Sequence, residues 1–212
     1  MTLRCILDGG RYFEGPRWHA GRLWFVDCMD RTLLSVSPSG EREQHAKFED
    51  DMPCGVGILP DGRLPDGAAR VVADGLRFPN GIAVSADHRR LVVAEMDGAC
   101  LADYEIEPDG SLKFRSRFGS MKSPDGICLD QQGAVWVAAF EEDAFIRLDA
   151  GGRELQRIEV PGHRAIACVL GGPERKTLFC LSAATSYEEL RQRKSSARID
   201  VVDVEIAGAG YP

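Results

Sequence analysis

Four short segments of this chain share a pattern in which a variable residue precedes a glycine and an apolar strand follows. They cover residues 13–18, 53–58, 79–84 and 124–129, and their variable residues are Glu14, Cys54, Asn80 and Asp125. Carboxylate and amide oxygens are the ligands that hard divalent cations prefer. In repeats arranged around one axis, the three oxygen-bearing side chains would meet at one mouth of a channel. The pattern therefore predicts a metal site formed by Glu14, Asn80 and Asp125.

The elements that must position these residues are predicted to be β-strands. Runs at 22–27, 91–95 and 134–138 are rich in β-branched and aromatic residues, as strands are. Pro-Asp-Gly triplets at 60–62, 65–67 and 108–110 are typical of tight turns. Short strands with this punctuation predict a sandwich, barrel or propeller, and the repeat favours the propeller. We expect one all-β propeller domain over residues 1–212.

The repeat spacing is irregular at one place. The variable positions, with a degenerate fifth repeat at Arg164, are separated by 40, 26, 45 and 39 residues. A four-stranded blade needs about 40–45 residues, so the second interval is short. Two Pro-Asp-Gly turns lie almost back to back there, around Leu64 and Pro65. We interpret this as an apparent deletion or an omitted segment between these two residues.

The two ends of the chain are predicted to meet. Residues 197–206 read as a final strand, which we expect to pair near residues 4–7 because a closed ring must hide its strand edges. One helix is predicted at 186–194, where Ser186 and Glu189 form a capping box.

Composition excludes some classes of partner. The net charge is −7 and the isoelectric point is about 5.2. Nucleic acids and anionic membranes need a basic face, so neither is expected as a partner. The seven cysteines are scattered and lack any Cys-x-x-Cys pair. With no recognisable signal peptide, we expect reduced cysteines and a cytoplasmic protein.

The motifs at 13–18, 69–83 and 123–128, together with 165–168 and 170–173, resemble the senescence-marker-protein/gluconolactonase family of regucalcin-like proteins. The resemblance implies a six-bladed propeller that binds one divalent metal and hydrolyses sugar lactones. Six blades need roughly 240–270 residues, so about one blade or more would be absent here.

The resemblance also implies roles for particular residues. The family's metal ligands match Glu14, Asn80 and Asp125, and the family suggests Asp125 as the catalytic base. A further family Asn and a substrate-contacting Arg, both on an intermediate blade, have no counterpart in this sequence. The expected function is that of a lactonase, a carboxylic-ester hydrolase of carbohydrate metabolism, acting on a small sugar lactone as a monomer or homodimer.

Two carboxylates and one amide make an oxygen-only donor set, which suits Ca²⁺, Mg²⁺ or Mn²⁺. Ca²⁺ is the expected ion, and Zn²⁺ is a further alternative because it also accepts carboxylates. Two other functions stay open. The chain could be a catalytically impaired metal-binding propeller that has lost its substrate blade, or an interaction propeller without a small-molecule site.

Several residues have equally simple structural interpretations. Asn-Gly and Asp-Gly are ordinary turn dipeptides when taken singly. Cys54 is interpreted as a thiol that lines the channel. Arg164 could contact substrate or form a structural ion pair, and Glu95 could reach the pocket or be a strand-end charge.

Overall fold

The structure, a computed structural model, describes residues 2–57 and 71–209. Sixteen strands in these ranges form four antiparallel sheets of four strands each, which confirms the all-β propeller prediction. In chain order the strands are β1 (Arg4–Gly10), β2 (Phe13–His19), β3 (Arg22–Asp27), β4 (Thr32–Val36), β5 (Arg42–Lys47), β6 (Pro79–Val84), β7 (Arg90–Glu95), β8 (Cys100–Ile106), β9 (Leu112–Phe118), β10 (Pro124–Leu129), β11 (Val135–Ala139), β12 (Ala144–Leu148), β13 (Glu154–Glu159), β14 (Arg164–Gly171), β15 (Thr177–Ala184) and β16 (Ser196–Asp203).

Each sheet is one blade. Blade 1 contains β2–β5, blade 2 contains β6–β9, and blade 3 contains β10–β13. Blade 4 contains β14, β15 and β16, and β1 is added beside β16. The first strands of neighbouring blades contact each other in the order β6, β10, β14 and β2, so they surround one central axis. No contact of similar extent joins β2 to β6 within the described part of the chain.

The turns form as their chemistry predicts. In the turn between β8 and β9, the Asp109 carboxylate accepts a hydrogen bond from the Ser111 amide at 2.9 Å, and Gly110 takes a positive φ of 77°. Such a turn reverses the chain within a few residues. The adjoining strands therefore pair in register, with Ile106 opposite Leu112.

The chain ends close the blade that contains both of them. Strand β1 pairs with β16, placing Arg4 opposite Val201 and Leu7 opposite Ile199. This confirms the predicted pairing, although the last strand ends at Asp203 rather than Ile206. Because β1 covers the outer edge of β16, that edge is satisfied by backbone hydrogen bonds.

The core lies between the blades. The cluster between blades 1 and 4 includes the fully buried Phe13, Phe25, Phe179 and Ile199. A second cluster joins blades 2 and 3. Strand β11 is buried along its whole length, because blades pack against both of its faces.

The blade count differs from the family expectation. A six-bladed type with one or more blades missing was predicted, and the described residues form four blades. The repeat around Cys54 is not a strand: residues 51–57 have no regular secondary structure. The expected strands of that repeat and the apparent deletion at Leu64–Pro65 lie outside the described residues.

The predicted helix is present and shorter than expected. Helix α1 spans Tyr187–Arg191, and the Ser186 side chain caps it by accepting a hydrogen bond from the Glu189 amide at 3.2 Å. Its last turn ends before Lys194. Across the described residues, no helix is long and apolar enough to cross a membrane.

Candidate metal and active site

The first strand of every blade carries an irregularity at the same place. A β-bulge inserts extra backbone into one strand and re-aims its side chains, which is why bulges are frequent beside active sites. The three predicted site residues lie at these shifts: Glu14 at the start of one, and Asn80 and Asp125 inside theirs. The register shifts fall between Glu14 and Arg17 in β2, Pro79 and Ile82 in β6, Pro124 and Ile127 in β10, and Ala165 and Ala167 in β14.

The glycines after Asn80 and Asp125 are explained by the convergence of these strands. A Cβ atom on Gly126 would lie 2.6 Å from the Cα of Ala167, in the next blade. A Cβ atom on Gly81 would collide with the backbone oxygen of Asp125. Real side chains do not tolerate such distances to backbone atoms, so glycine allows the inner strands to approach the axis closely.

These strands enclose a cavity of about 180 Å³. Glu14 and Asn80 line it, as do Cys54 and the backbone of Gly126. Asp125 lies immediately behind this surface, with only 2% of its area exposed. The structure therefore places Glu14 and Asn80 in one cavity and Asp125 at its wall.

Burial perturbs both carboxylates, and the charge of Glu14 also acts on Asp125. Burial raises the pKa of Asp125 well above its ordinary range, and the nearby charge of Glu14 raises it further. Burial raises the pKa of Glu14 to about 8. Both shifts mean that the site resists holding two bare negative charges.

Oxygen atoms at the site are available as ligands. The Oδ1 atom of Asp125 is buried and accepts no hydrogen bond from the described residues. The Asn80 amide nitrogen makes a weak contact of 3.9 Å with the Met96 sulfur, and no hydrogen bond to the Asn80 carbonyl oxygen is recorded within the described residues. A buried acceptor without a partner is costly unless a ligand satisfies it.

The donor set fits one hard divalent cation. In the described ranges no group of three His, Cys, Asp or Glu side chains is arranged to hold a metal ion. The candidate site contains two such side chains, Glu14 and Asp125, and its third donor is the amide of Asn80. Its fit rests on the unpartnered Asp125 oxygen and on the raised pKa values, both of which a cation would offset.

Sequence reasoning missed two residues near the carboxylates. Tyr12 is close enough that the charges of Asp125 and Glu14 add to burial in raising its pKa. The Cys28 thiol is buried near Glu14 and Cys54, and burial followed by these neighbours raises its pKa. Neither residue occupies the repeated position, so the pattern carried no signal for them.

Other candidates have structural roles. Arg164 forms an ion pair with Asp143 at 3.1 Å, which agrees with the structural ion pair that was one of its two predicted roles. Glu95 is fully buried, and its carboxylate forms an ion pair with the Arg117 guanidinium at 2.6 Å. Burial alone would raise the pKa of Glu95, but hydrogen bonds from Arg117 and the Arg77 amide lower it. All seven cysteines are free, as expected for reduced thiols.

Comparisons with known proteins agree with this architecture. Residues 63–184 match the family described as SMP-30/Gluconolactonase/LRE-like region. The chain is 28% identical over 180 residues to pentonolactonase XacC of Haloferax volcanii, a match that covers 73% of this chain and 62% of that protein. It is 28% identical over 201 residues to 6-deoxy-6-sulfogluconolactonase of Pseudomonas putida, covering 84% of this chain and 68% of the relative.

A solved structure shows the same fold. The calcium-binding protein regucalcin of Agrobacterium tumefaciens superposes with a TM-score of 0.73 at 16% identity, covering 98% of this chain and 97% of that one. The family model covers more than half of this chain. The chain itself spans under two thirds of the length of the Haloferax volcanii pentonolactonase. The chain therefore belongs to the SMP-30/gluconolactonase/LRE-like family.

Proposed function

We propose that this chain hydrolyses a sugar lactone in the central cavity. Glu14, Asn80 and Asp125 are proposed to hold one divalent cation there, and Asp125 is proposed to act as the general base. The observation that carries the proposal is that the partly buried Glu14 lies close enough to raise the pKa of the buried Asp125, whose Oδ1 atom has no partner among the described residues. Family membership and the lactonase names of two relatives support the reaction class.

Ca²⁺ is the proposed ion. The oxygen-only donor set suits it, and the superposed regucalcin structure carries the description of a calcium-binding protein. Zn²⁺, Mn²⁺ and Mg²⁺ are the alternatives to compare. When bound, such a cation supplies Lewis-acid polarisation of the lactone carbonyl and favours the ionised form of both carboxylates.

The protein's own groups perform the proton transfers. Ionised Asp125 accepts a proton from a water molecule as the water oxygen attacks the carbonyl carbon. The tetrahedral intermediate then collapses, and the bond from the carbonyl carbon to the ring oxygen breaks. Asp125 returns the proton to that ring oxygen, which becomes a hydroxyl group. The product is a hydroxy acid that ionises at neutral pH and releases one proton to solvent.

The surroundings hold the reacting groups in place. The bulges fix the directions of the Glu14 and Asp125 side chains, because the strand is paired on both sides of each bulge. The neutral Tyr12 hydroxyl near both carboxylates is available as a hydrogen-bond donor. Rigid positioning of this kind reduces the entropy that must be lost in the transition state.

A pH-indicator assay with D-glucono-1,5-lactone tests the proposal. The protein is supplied with Ca²⁺, Mn²⁺, Mg²⁺ or Zn²⁺ after treatment with a chelator, and the buffer rate is subtracted because lactones open spontaneously. We expect Asp125→Asn to lower the rate at least about 100-fold, as loss of a general base typically does. Asp149→Asn, in an exposed turn, is the matched control and should keep the full rate.

The outcomes separate the candidate functions. Cation binding without turnover of this or other sugar lactones would support the catalytically impaired propeller instead. Titration calorimetry that detects no binding of any of the four cations would contradict both metal-dependent functions.

A further inference from the structure

Arg17 introduces a positive charge into the cavity. It follows the bulge of β2 and lines the same cavity as Glu14 and Asn80. Among the described lining residues it is the one Arg, Lys or His. Burial lowers the pKa of its guanidinium, which nevertheless stays charged at any physiological pH.

This guanidinium has no carboxylate partner among the described residues. Its recorded contact is a hydrogen bond of 2.8 Å from Nη1 to the backbone oxygen of Pro16, its own neighbour. Two other shielded arginines are differently placed: Arg90 pairs with Asp103 at 2.9 Å, and Arg147 pairs with Asp130 at 2.6 Å.

An unpaired, partly buried guanidinium is costly to maintain. Removing a charge from water is unfavourable unless a counter-charge or a set of hydrogen bonds compensates. Arg17 has five N–H donors, and within the described residues one hydrogen bond from them is recorded, to Pro16. A guanidinium matches the paired oxygens of a carboxylate, sulfonate or phosphate, which it can bind through two parallel hydrogen bonds.

We propose that Arg17 is a specificity position that binds an oxyanion substituent of the substrate. The preferred substrates would then be acidic sugar lactones, with a carboxylate, sulfonate or phosphate away from the reacting carbonyl. This inference rests on the proposed lactonase function for the substrate class, whereas oxyanion binding by itself does not depend on it. Arg17 forms no ion pair with Glu14 or Asp125. The oxyanion substituent that it binds is therefore distinct from the carbonyl group that reacts beside the two carboxylates.

The binding test uses inorganic sulfate and does not require activity. Thermal unfolding of the Mg²⁺-loaded protein is followed in sodium sulfate and in sodium chloride of equal ionic strength. The variants are Arg17→Gln, Arg17→Lys and the control Arg191→Gln, whose side chain is 79% exposed on α1. Sulfate also stabilises proteins generally, so the informative quantity is the difference between variants.

We expect the wild type and Arg191→Gln to gain the same extra Tm in sulfate and Arg17→Gln to lose it. Arg17→Lys should keep part of the gain, because it retains the charge without the paired donors. An equal gain in wild type and Arg17→Gln would overturn the inference. If Arg17→Gln does not fold, calorimetric titration of sulfate into the wild type decides the question, and absence of binding overturns it.

The kinetic test compares a neutral and an acidic lactone. D-Glucono-1,5-lactone is uncharged, whereas D-glucaro-1,4-lactone carries one carboxylate. We expect Arg17→Gln to lower kcat/KM for the acidic lactone about tenfold or more and for the neutral lactone less than about threefold, since a lost charged pair affects only the charged substrate. Equal losses on both lactones would contradict a substituent-binding role. So would a variant in which the only change is weaker inhibition by gluconate.

The two tests fail independently. A wild type that hydrolyses no lactone but shows Arg17-dependent sulfate binding would contradict the proposed function and support the oxyanion position. A wild type that hydrolyses neutral lactones without Arg17-dependent binding would support the proposed function and overturn the oxyanion position.

Discussion

Glu14 and Asp125, from strands β2 and β10 of different blades, lie so close in the central channel that the charge of Glu14 raises the pKa of Asp125. A buried carboxylate beside a partly buried one is unfavourable in the absence of a counter-charge. The fold nevertheless holds them there, with bulges in both strands. This arrangement is expected of a cation site more than of a structural core.

Removal of metal should make stability depend on pH through Glu14. Its pKa in the folded protein is about 8, against 4.5 for an ordinary glutamate. The folded state therefore binds the proton more tightly than the unfolded state. This contribution to stability is full below about pH 4.5 and is lost as the pH rises through 8.

We expect the metal-free wild type to lose about 5 °C or more of Tm between pH 5 and pH 8, relative to Glu14→Gln. One unit of pKa corresponds to about 1.4 kcal/mol, and about 1 kcal/mol moves the Tm of a domain this size by roughly 2–4 °C. Scanning calorimetry in a chelator measures the difference. Glu159→Gln, at a carboxylate that is 60% exposed, is the control. Parallel curves for wild type and Glu14→Gln would contradict the prediction.

Added Ca²⁺ should reverse this loss at pH 8. A ligand present at 100 times its Kd stabilises the folded state by about 2.7 kcal/mol, so a rise in Tm of roughly 5–10 °C is expected. Asp125→Asn should remove the rise, since it removes one charged ligand, and a chelator should abolish it in the wild type. The same Ca²⁺-dependent rise in Asp125→Asn would exclude Asp125 as a ligand.

Gly126→Ala should destabilise the protein. The added methyl group would lie 2.6 Å from the Cα of Ala167, and backbone atoms cannot move away without shifting the neighbouring blade. Overpacking of this kind costs about 1–3 kcal/mol. Gly55→Ala adds the same methyl group where nothing lies within 4 Å and serves as the control. Urea unfolding of both variants measures the cost, and equal midpoints would contradict the packing argument.

Ile199→Ala tests the closing blade. Ile199 is fully buried in the cluster between blades 1 and 4 and lies opposite Leu7 of β1. Truncation of such a residue removes about 2–5 kcal/mol from the free energy of unfolding. Leu155→Ala removes a comparable side chain that is 39% exposed and should cost much less. Similar losses for the two variants would indicate that the joined ends contribute little.

Much of the fold could be predicted from local patterns. The turn at Asp109 and Gly110, the cap at Ser186 and the pairing of the chain ends all appear as expected, because each depends on short-range chemistry or on the need to cover a strand edge. The Cys54 segment matched the repeat and is not a strand. A sequence pattern alone does not decide whether a segment is a strand, because strand preference depends on the packing around it.

The repeat by itself singled out Glu14, Asn80 and Asp125, since residues in equivalent positions of successive blades point to one axis. The tertiary structure decided what surrounds these residues: the depth at which Asp125 is buried, the nearness of Tyr12, and the position of Arg17 on the cavity without a carboxylate partner among the described residues. These properties arise from contacts between strands far apart in the chain, and burial changes the energy of a charge in a way that no local pattern of residues records.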